Sequence, residues 1–398
     1  MVFSSNIQTL RPSATIAVST LAKKLKAEGR DIIDLSAGEP DFPTPDWISQ
    51  GAIDGIRGGR TGYTPAPGLP DLREAVARDM ERRSGAGWSV SSESVIVTSG
   101  AKQALFNACF ALFGPGDEVV VATPYWTSYP EIVGLTGAKP VFAAGPREEG
   151  FKLGSEALDA VSGPSTKGLI LCSPSNPTGA VYTRDELEAV ARWARDRDVW
   201  LVSDEIYRRI VFEEDQAAGL MDLDPDAVGP YVVVDGASKC FAMTGWRIGY
   251  AVSQPEVIRK LSALQSHTTS NAATPSQIAA LTALSEPERA DESIREMVMA
   301  FRRRRDLVVR RFGEALPHME LVEPQGAFYL FIRVDSEYGG EVTDSQAWCS
   351  RELERTGVAL VPGVAFGDDR YVRLSYATSD ELLDDAVDRL ARVRKGGE

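Results

Sequence analysis

The most chemically pointed stretch of this chain is a lysine set eight residues ahead of an arginine, directly after an apolar run. YVVV at 231–234 leads into GASKCFAMTGWR, which holds Ser238, Lys239 and Arg247. A lysine amine withdrawn from water and set near other cations loses its proton more easily and becomes a nucleophile that can form an imine. An arginine at that spacing could grip a phosphate with its planar fork. A second apolar run, VWLVS at 199–203, ends in Asp204, with Tyr207 three residues on. A carboxylate at a strand end could keep a ring nitrogen protonated, and Tyr207 could donate to a ring oxygen. Ser99-Gly100-Ala101-Lys102 lies between a strand-like run and a helical pattern. Small residues there let backbone amides reach a phosphate at a helix N-terminus. Trp126, in PYW, could stack on a flat ring. Asn176 stands between two prolines in SPSNPTG, a rigid loop that could bring it to a ring oxygen.

Taken singly, each motif also reads as ordinary structure. Lys239 and Arg247 could be solvated loop residues, Asp204 an N-cap, Tyr207 and Trp126 core aromatics, and SPSNPTG a plain turn. Taken together they meet the demands of pyridoxal 5'-phosphate (PLP): an amine for its aldehyde, an anion at its ring nitrogen, a phosphate cradle, a stacking partner and a donor to its ring oxygen. Composition points the same way. The chain has 2 histidines, His267 and His318, and neither sits at a metal-ligand spacing. Its 4 cysteines are far apart with no C-x-x-C pair, so no metal site is expected and acid–base work falls to Lys, Tyr or carboxylates.

Residues of this kind need a sheet to aim them. Ser94–Thr98, Glu118–Ala122, Gly168–Cys172, Val199–Ser203, Tyr231–Val234 and Ile248–Val252 read as six strands, mostly apolar without alternation. Strands buried on both faces imply a mostly parallel sheet covered by helices, and Arg184–Arg197 has the spacing of a covering helix. Ligands of such sheets bind beyond the carboxyl ends of the strands, which is where the motifs fall. The C-terminal part, with strand-like Phe328–Val334, Val358–Val361 and Tyr371–Leu374 separated by two helices, reads as a smaller α+β unit. The 398 residues divide into an N-terminal segment (1–45) that packs with this unit, a large domain (46–290) and the C-terminal small domain (291–398). The basic run Arg302–Arg305 reads as a solvated helix face. A net charge of −14 opposes nucleic-acid binding. No run reaches the length of a membrane span, and Met1 to Leu10 carries no signal-like apolar core. The cytoplasm is the expected compartment.

The motifs in order, among them PSAT (12–15), SAGEPDFPTP (36–45), GYTPAPGLPDLREA (62–75), SGAKQALFN (99–107), PYWTSYPE (124–131), SPSNPTGAVY (173–182), SDEIY (203–207), GASKCFAMTGWRIGY (236–250), QGAFY (325–329) and VRLSYATS (372–379), resemble the class I aminotransferases of PLP fold type I over nearly the whole chain. The subgroup they most resemble is the bacterial aspartate and aspartate/prephenate aminotransferases. The resemblance implies a seven-stranded large domain and a homodimer with shared active sites. It implies that Arg373 grips the substrate α-carboxylate, with the Gly38 amide nearby, and that Trp126 and Asn176 also face the substrate. Tyr63 would reach the phosphate in the neighbouring subunit, and Lys102 and Arg11 would hold a distal carboxylate. Thr123–Pro124 and Asn176–Pro177 are expected to be cis. The implied reaction is ping-pong transamination of L-aspartate with 2-oxoglutarate through a Lys239 Schiff base, with prephenate as an additional acceptor. Other amino donors (aromatic, alanine) or a β-lyase on the same fold are the alternatives. The chain departs from the pattern at Gly236, where many relatives carry a serine that bonds the phosphate.

Overall fold

Apolar strands buried on both faces need cover on both sides, and the central strands receive it. The computed structural model describes residues 4–8, 10–84 and 87–395. Within these lie β1 (Ile33–Asp34), β2 (Val95–Thr98), β3 (Glu118–Thr123), β4 (Lys139–Ala144), β5 (Thr166–Cys172), β6 (Trp200–Asp204), β7 (Tyr231–Gly236), β8 (Gly249–Val252), β9 (Tyr329–Arg333), β10 (Val358–Ala359), β11 (Val361–Pro362) and β12 (Tyr371–Ser375). Seven of them form one sheet in the order β2-β8-β7-β6-β5-β3-β4. All neighbours run parallel except β8, which is antiparallel to both β2 and β7. Side chains alternate between two separate cores. Val119, Val121, Ile170, Val202 and Val232 pack on one face. Val120, Leu169, Leu171, Leu201 and Val233 pack on the other. The helix Arg184–Asp196 covers this second face with Leu187, Val190, Ala191 and Ala194, and a Thr183–Glu186 capping box fixes its start.

The six expected strands are all present, within a few residues of their expected ends. The seventh, β4, pairs only with β3 at the sheet edge. Its sequence KPVFAA is largely exposed and carries Pro140, a residue that edge strands tolerate and central strands do not. An edge strand with exposed residues lacks the burial on both faces that marks the central strands.

A second body forms from both chain ends. β9, β11 and β12 make an antiparallel sheet, and β1 pairs parallel with β10, Ile33 opposite Val358. The single expected strand Val358–Val361 is split at Leu360 between these two sheets. Only one of the two expected helices lies among these strands, Ser345–Thr356. Between β11 and β12 the chain makes one short turn of 3₁₀ helix, Gly363–Phe366, closed by Gly367 at φ +85°. The basic run also differs from expectation. In the long helix Pro287–Ala315, Arg302 and Arg303 are exposed, but Arg304 and Arg305 are buried and paired with carboxylates. The peptides before Pro124 and Pro177 are cis, and so is the one before Pro174, which was not expected. No helix among the described residues is long and apolar enough to cross a membrane.

The sheet is tightest where β7 and β8 run beside the start of the helix Ala101–Leu112. A Cβ on Gly249 would lie 2.2 Å from the Ala101 backbone nitrogen. Gly249→Ala should therefore cost about 1–3 kcal/mol through overpacking, read as a lower midpoint in urea melts. An unchanged midpoint would mean that the strand and helix separate freely at this point.

Candidate active site

The carboxyl ends of β5, β6 and β7 and the start of the helix Ala101–Leu112 open onto a cavity of about 440 Å³, closed on its other side by the second body. Lys239 stands one short turn beyond β7. Its Nζ donates to the Gly38 carbonyl at 2.5 Å and lies over the rings of Tyr207 (5.8 Å) and Phe328 (6.0 Å). Burial, with Arg373 and Arg247 nearby, lowers this ammonium to about 8 against the opposing pull of Glu39. The amine thus gives up its proton far more readily than a solvated lysine, and a minor but useful fraction is neutral near physiological pH, as a nucleophile requires.

Asp204 is the last residue of β6 and is 3% exposed. The Tyr129 hydroxyl donates to it at 2.6 Å and the Ile206 amide at 3.2 Å. Burial still pushes its carboxyl up to about 6, because none of the described salt bridges brings a cation to it. Arg373, on β12, is 1% exposed and likewise has no salt bridge among the described residues. Its Nη1 donates to Asn176 Oδ1 at 3.0 Å and its Nη2 to the Ser36 carbonyl at 2.7 Å, while Nε has no partner. Its guanidinium lies 4.4 Å from the Tyr329 ring centroid. Arg247 donates to the carbonyls of Thr244 (2.9 Å) and Ser99 (3.4 Å). It lies so close to Gly100 that a Cβ there would sit 2.4 Å from Nη2. Gly100 also has φ +89°, a backbone conformation that favours glycine. The helix that follows has no side-chain cap, which leaves its N-terminus available to an anion.

The cavity wall thus gathers Gly38, Ala101, Lys102, Trp126, Asn176, Asp204, Tyr207, Ser238, Lys239, Arg247 and Arg373 of the residues singled out in the sequence. Trp126 meets Tyr129 edge-on at 5.4 Å, and the Lys102 ammonium lies 4.8 Å from the Trp126 ring centroid. Ser99 and Gly100 stand behind the wall. The amide of Ser99 is taken by Gln103 Oε1 and that of Gly100 by the Thr98 carbonyl. Arg11 does not line the cavity; its backbone amide donates to Glu131. Tyr63 is 95% exposed and does not line its own chain's cavity. At Gly236, a Cβ would lie 2.8 Å from Gly249 Cα, so the glycine at the departure from the family pattern is matched by close strand packing. Sequence reasoning missed Tyr129, Tyr329, Ser36 and Glu39. Tyr329 shares a 2.8 Å hydrogen bond with Tyr207. Tyr129 and Tyr329 lie inside motifs already noted, but only tertiary contact gives them partners. It also missed one side of the helix Ala14–Ala27, whose Thr15, Ser19 and Lys23 face the opening.

A mostly parallel seven-stranded sheet flanked by helices, with these groups at its carboxyl edge, is the type I architecture. The chain belongs to the class I and II aminotransferases, whose family model matches residues 30–390. Among curated relatives, it is similar to the aspartate/prephenate aminotransferase of Cereibacter sphaeroides, 44% identical over 97% of each chain. The aspartate aminotransferase of Streptomyces avermitilis is 42% identical over 98% of this chain and 96% of its own. Among solved structures, the aspartate aminotransferase of Thermus thermophilus with maleate superposes with a TM-score of 0.92 at 42% identity. The match covers 99% of this chain and all of that one.

Asp204 carries a pH-dependent prediction. Its folded pKa, about 6, lies above the unfolded value of about 4, so ionising it opposes folding. The penalty is absent where the group is protonated in both states and complete above about pH 6. Asp204→Asn should stabilise the ligand-free protein by about 2–3 kcal/mol near pH 8 and by less as pH falls toward 4. Urea melts of both proteins across that range measure it, and a gain independent of pH would refute it.

Proposed function

We propose that the protein holds PLP on Lys239 and catalyses transamination of L-aspartate with 2-oxoglutarate, giving oxaloacetate and L-glutamate, with prephenate as an additional acceptor. The proposal includes a cytoplasmic homodimer with shared sites and the division into segment 1–45, large domain 46–290 and small domain 291–398. The observation that carries the reading is a set of unmatched groups around one cavity: among the described residues, a buried carboxylate with no salt bridge, a buried guanidinium with no salt bridge, and an amine whose proton burial has loosened. The names of the relatives above supply aspartate and prephenate, and 2-oxoglutarate comes from the family resemblance.

These residues fit the cofactor. Asp204 offers the anion for a protonated ring nitrogen, and Tyr207 a hydroxyl for the ring oxygen. Asn176 has Oδ1 taken by Arg373, which leaves its Nδ2 as the donor toward the cavity. Arg247, Ser238 and the uncapped helix start form a cationic cradle for a phosphate. Trp126 offers a ring face. Bound PLP supplies an aldehyde for the substrate amine and a ring that draws electrons from the carbon losing its proton. Lys239 Nζ then moves that α-proton, the task its lowered pKa suits. Arg373 has Nε–H and one N–H on each terminal nitrogen left over for the α-carboxylate. Lys102, at the cavity wall beside Trp126, is placed to meet a distal carboxylate. Tyr63, exposed in one chain, is available to a second copy.

Adding L-aspartate alone to the holoenzyme should remove its near-visible absorbance, and 2-oxoglutarate should restore it. A spectrum that L-aspartate leaves unchanged would overturn the donor assignment. Lys239→Ala should abolish turnover while PLP can still bind noncovalently. Lys102→Ala should raise the KM for aspartate about tenfold, the effect of losing roughly 1.4 kcal/mol of binding, with a smaller change for alanine. Equal changes for both donors would remove Lys102 from side-chain recognition.

A further inference from the structure

Arg304, from the run first read as a solvated face, is 7% exposed. Its guanidinium forks Asp41 with two 2.8 Å hydrogen bonds. Its Nε reaches Asp380 at 3.4 Å, and it lies over the rings of Phe42 (5.3 Å) and Phe301 (5.9 Å). The two carboxylates belong to the two elements that build the α-carboxylate site. Asp41 is three residues past Gly38, in the segment whose Ser36 carbonyl accepts from Arg373. Asp380 opens the helix Asp380–Lys395, which follows β12 and its Arg373. The segments already touch through Ser375 N to the Leu35 carbonyl at 2.8 Å. Arg304 adds a further fixed point on the far side of Gly38, from a third element, the helix Pro287–Ala315.

We infer that Arg304 is a positioning residue for substrate binding: it locks the Ser36–Asp41 segment in register with Arg373, so that an incoming carboxylate meets both together. This rests on the reading of Arg373 as the carboxylate grip. The chemistry favours arginine at this place. A planar fork fixes both oxygens of Asp41 in direction as well as distance, and a lysine would supply only a point charge. Arg304 is bonded to neither Lys239, Asp204 nor Arg247; it reaches them only through the segment, whose Gly38 carbonyl accepts from Lys239 in the ligand-free protein. A shift of about 1 Å in a positioning element can cost on the order of a hundredfold in rate.

The test uses holoenzyme, with succinate as an unreactive dicarboxylate and aspartate as substrate. Arg304→Gln should raise the succinate Kd and the aspartate KM about tenfold or more, with the holoenzyme spectrum and PLP content unchanged. Asp41→Asn should reproduce the loss, since it removes the fork that holds the segment, and the double variant should be no worse than Arg304→Gln, which already removes that fork. Arg304→Lys should recover only part of the loss. Arg303→Gln, which removes an exposed partner of the same Asp380, should leave both constants as they were. Should Arg304→Gln not fold, Asp41→Asn and Arg304→Lys carry the same comparison. A fall in melting temperature with wild-type Kd and KM in these variants would overturn the proposal, as would losses that multiply in the double variant. If the wild type itself fails to bind succinate, the reading of the site falls and the inference with it. If the wild type binds and the Arg304 variants bind equally well, the inference alone falls.

Discussion

The site rests on a guanidinium buried with no carboxylate beside it. Removing a charge from water is costly unless polar partners replace the solvent. Arg373 receives the Ser36 carbonyl, the side-chain oxygen of Asn176, and the ring faces of Tyr329 and Phe366. Each support comes from a different part of the chain: Ser36 from the N-terminal segment, Asn176 from the loop after β5, Tyr329 from β9. Placing this one charge therefore brings the large sheet, the small sheet and the N-terminal segment to a common point. Burial lowers the pKa of Arg373, yet an arginine stays protonated in a protein. The charge persists, and the group missing from its surroundings is an anion.

The same imbalance recurs across the cavity. Asp204 is pushed up and Lys239 down, both by burial first. Perturbed groups of opposite kind facing one cleft are a mark of functional sites. Here each lacks a partner that the proposed cofactor and substrate would supply between them: a cationic ring nitrogen for Asp204 and an aldehyde for Lys239 from the cofactor, a carboxylate for Arg373 from the substrate. The fold tolerates these unmatched groups because the surrounding cores are large and closely packed, with strands buried on both faces. Stability in the scaffold is what lets the cavity remain poorly satisfied without its ligand, and the relatives keep the same architecture over their full lengths.

What could be read in the sequence divides along physical lines. The central strands were legible because continuous apolar runs leave few alternatives at that length. The edge strand β4 was not, since half its surface faces water and Pro140 interrupts the pattern. The residues following β5, β6 and β7 were legible as site candidates because turns at the carboxyl ends of parallel strands converge. Arg304 was misread, because a basic run on an amphipathic helix looks solvated until a second element packs over it. Tyr129 and Tyr329 were passed over because an aromatic residue in a motif carries no sign of which hydroxyl it will meet.

The sequence by itself determined the kind of chemistry available: an amine, a carboxylate, an arginine of the kind that can grip a phosphate and small residues at a strand–helix turn, in the order that a parallel sheet would bring together. Those depend on residue type and local periodicity, which a linear chain carries in full. The tertiary structure alone decided which charges stay unmatched. It placed Arg373 against Asn176, 197 residues apart in the chain, and Lys239 against the Gly38 carbonyl, 201 residues apart. It set aside Ser99, Gly100 and Arg11 from the cavity wall and left Tyr63 facing outward. Burial and long-range contact govern pKa and hydrogen-bond partnership, and neither exists until the chain has folded.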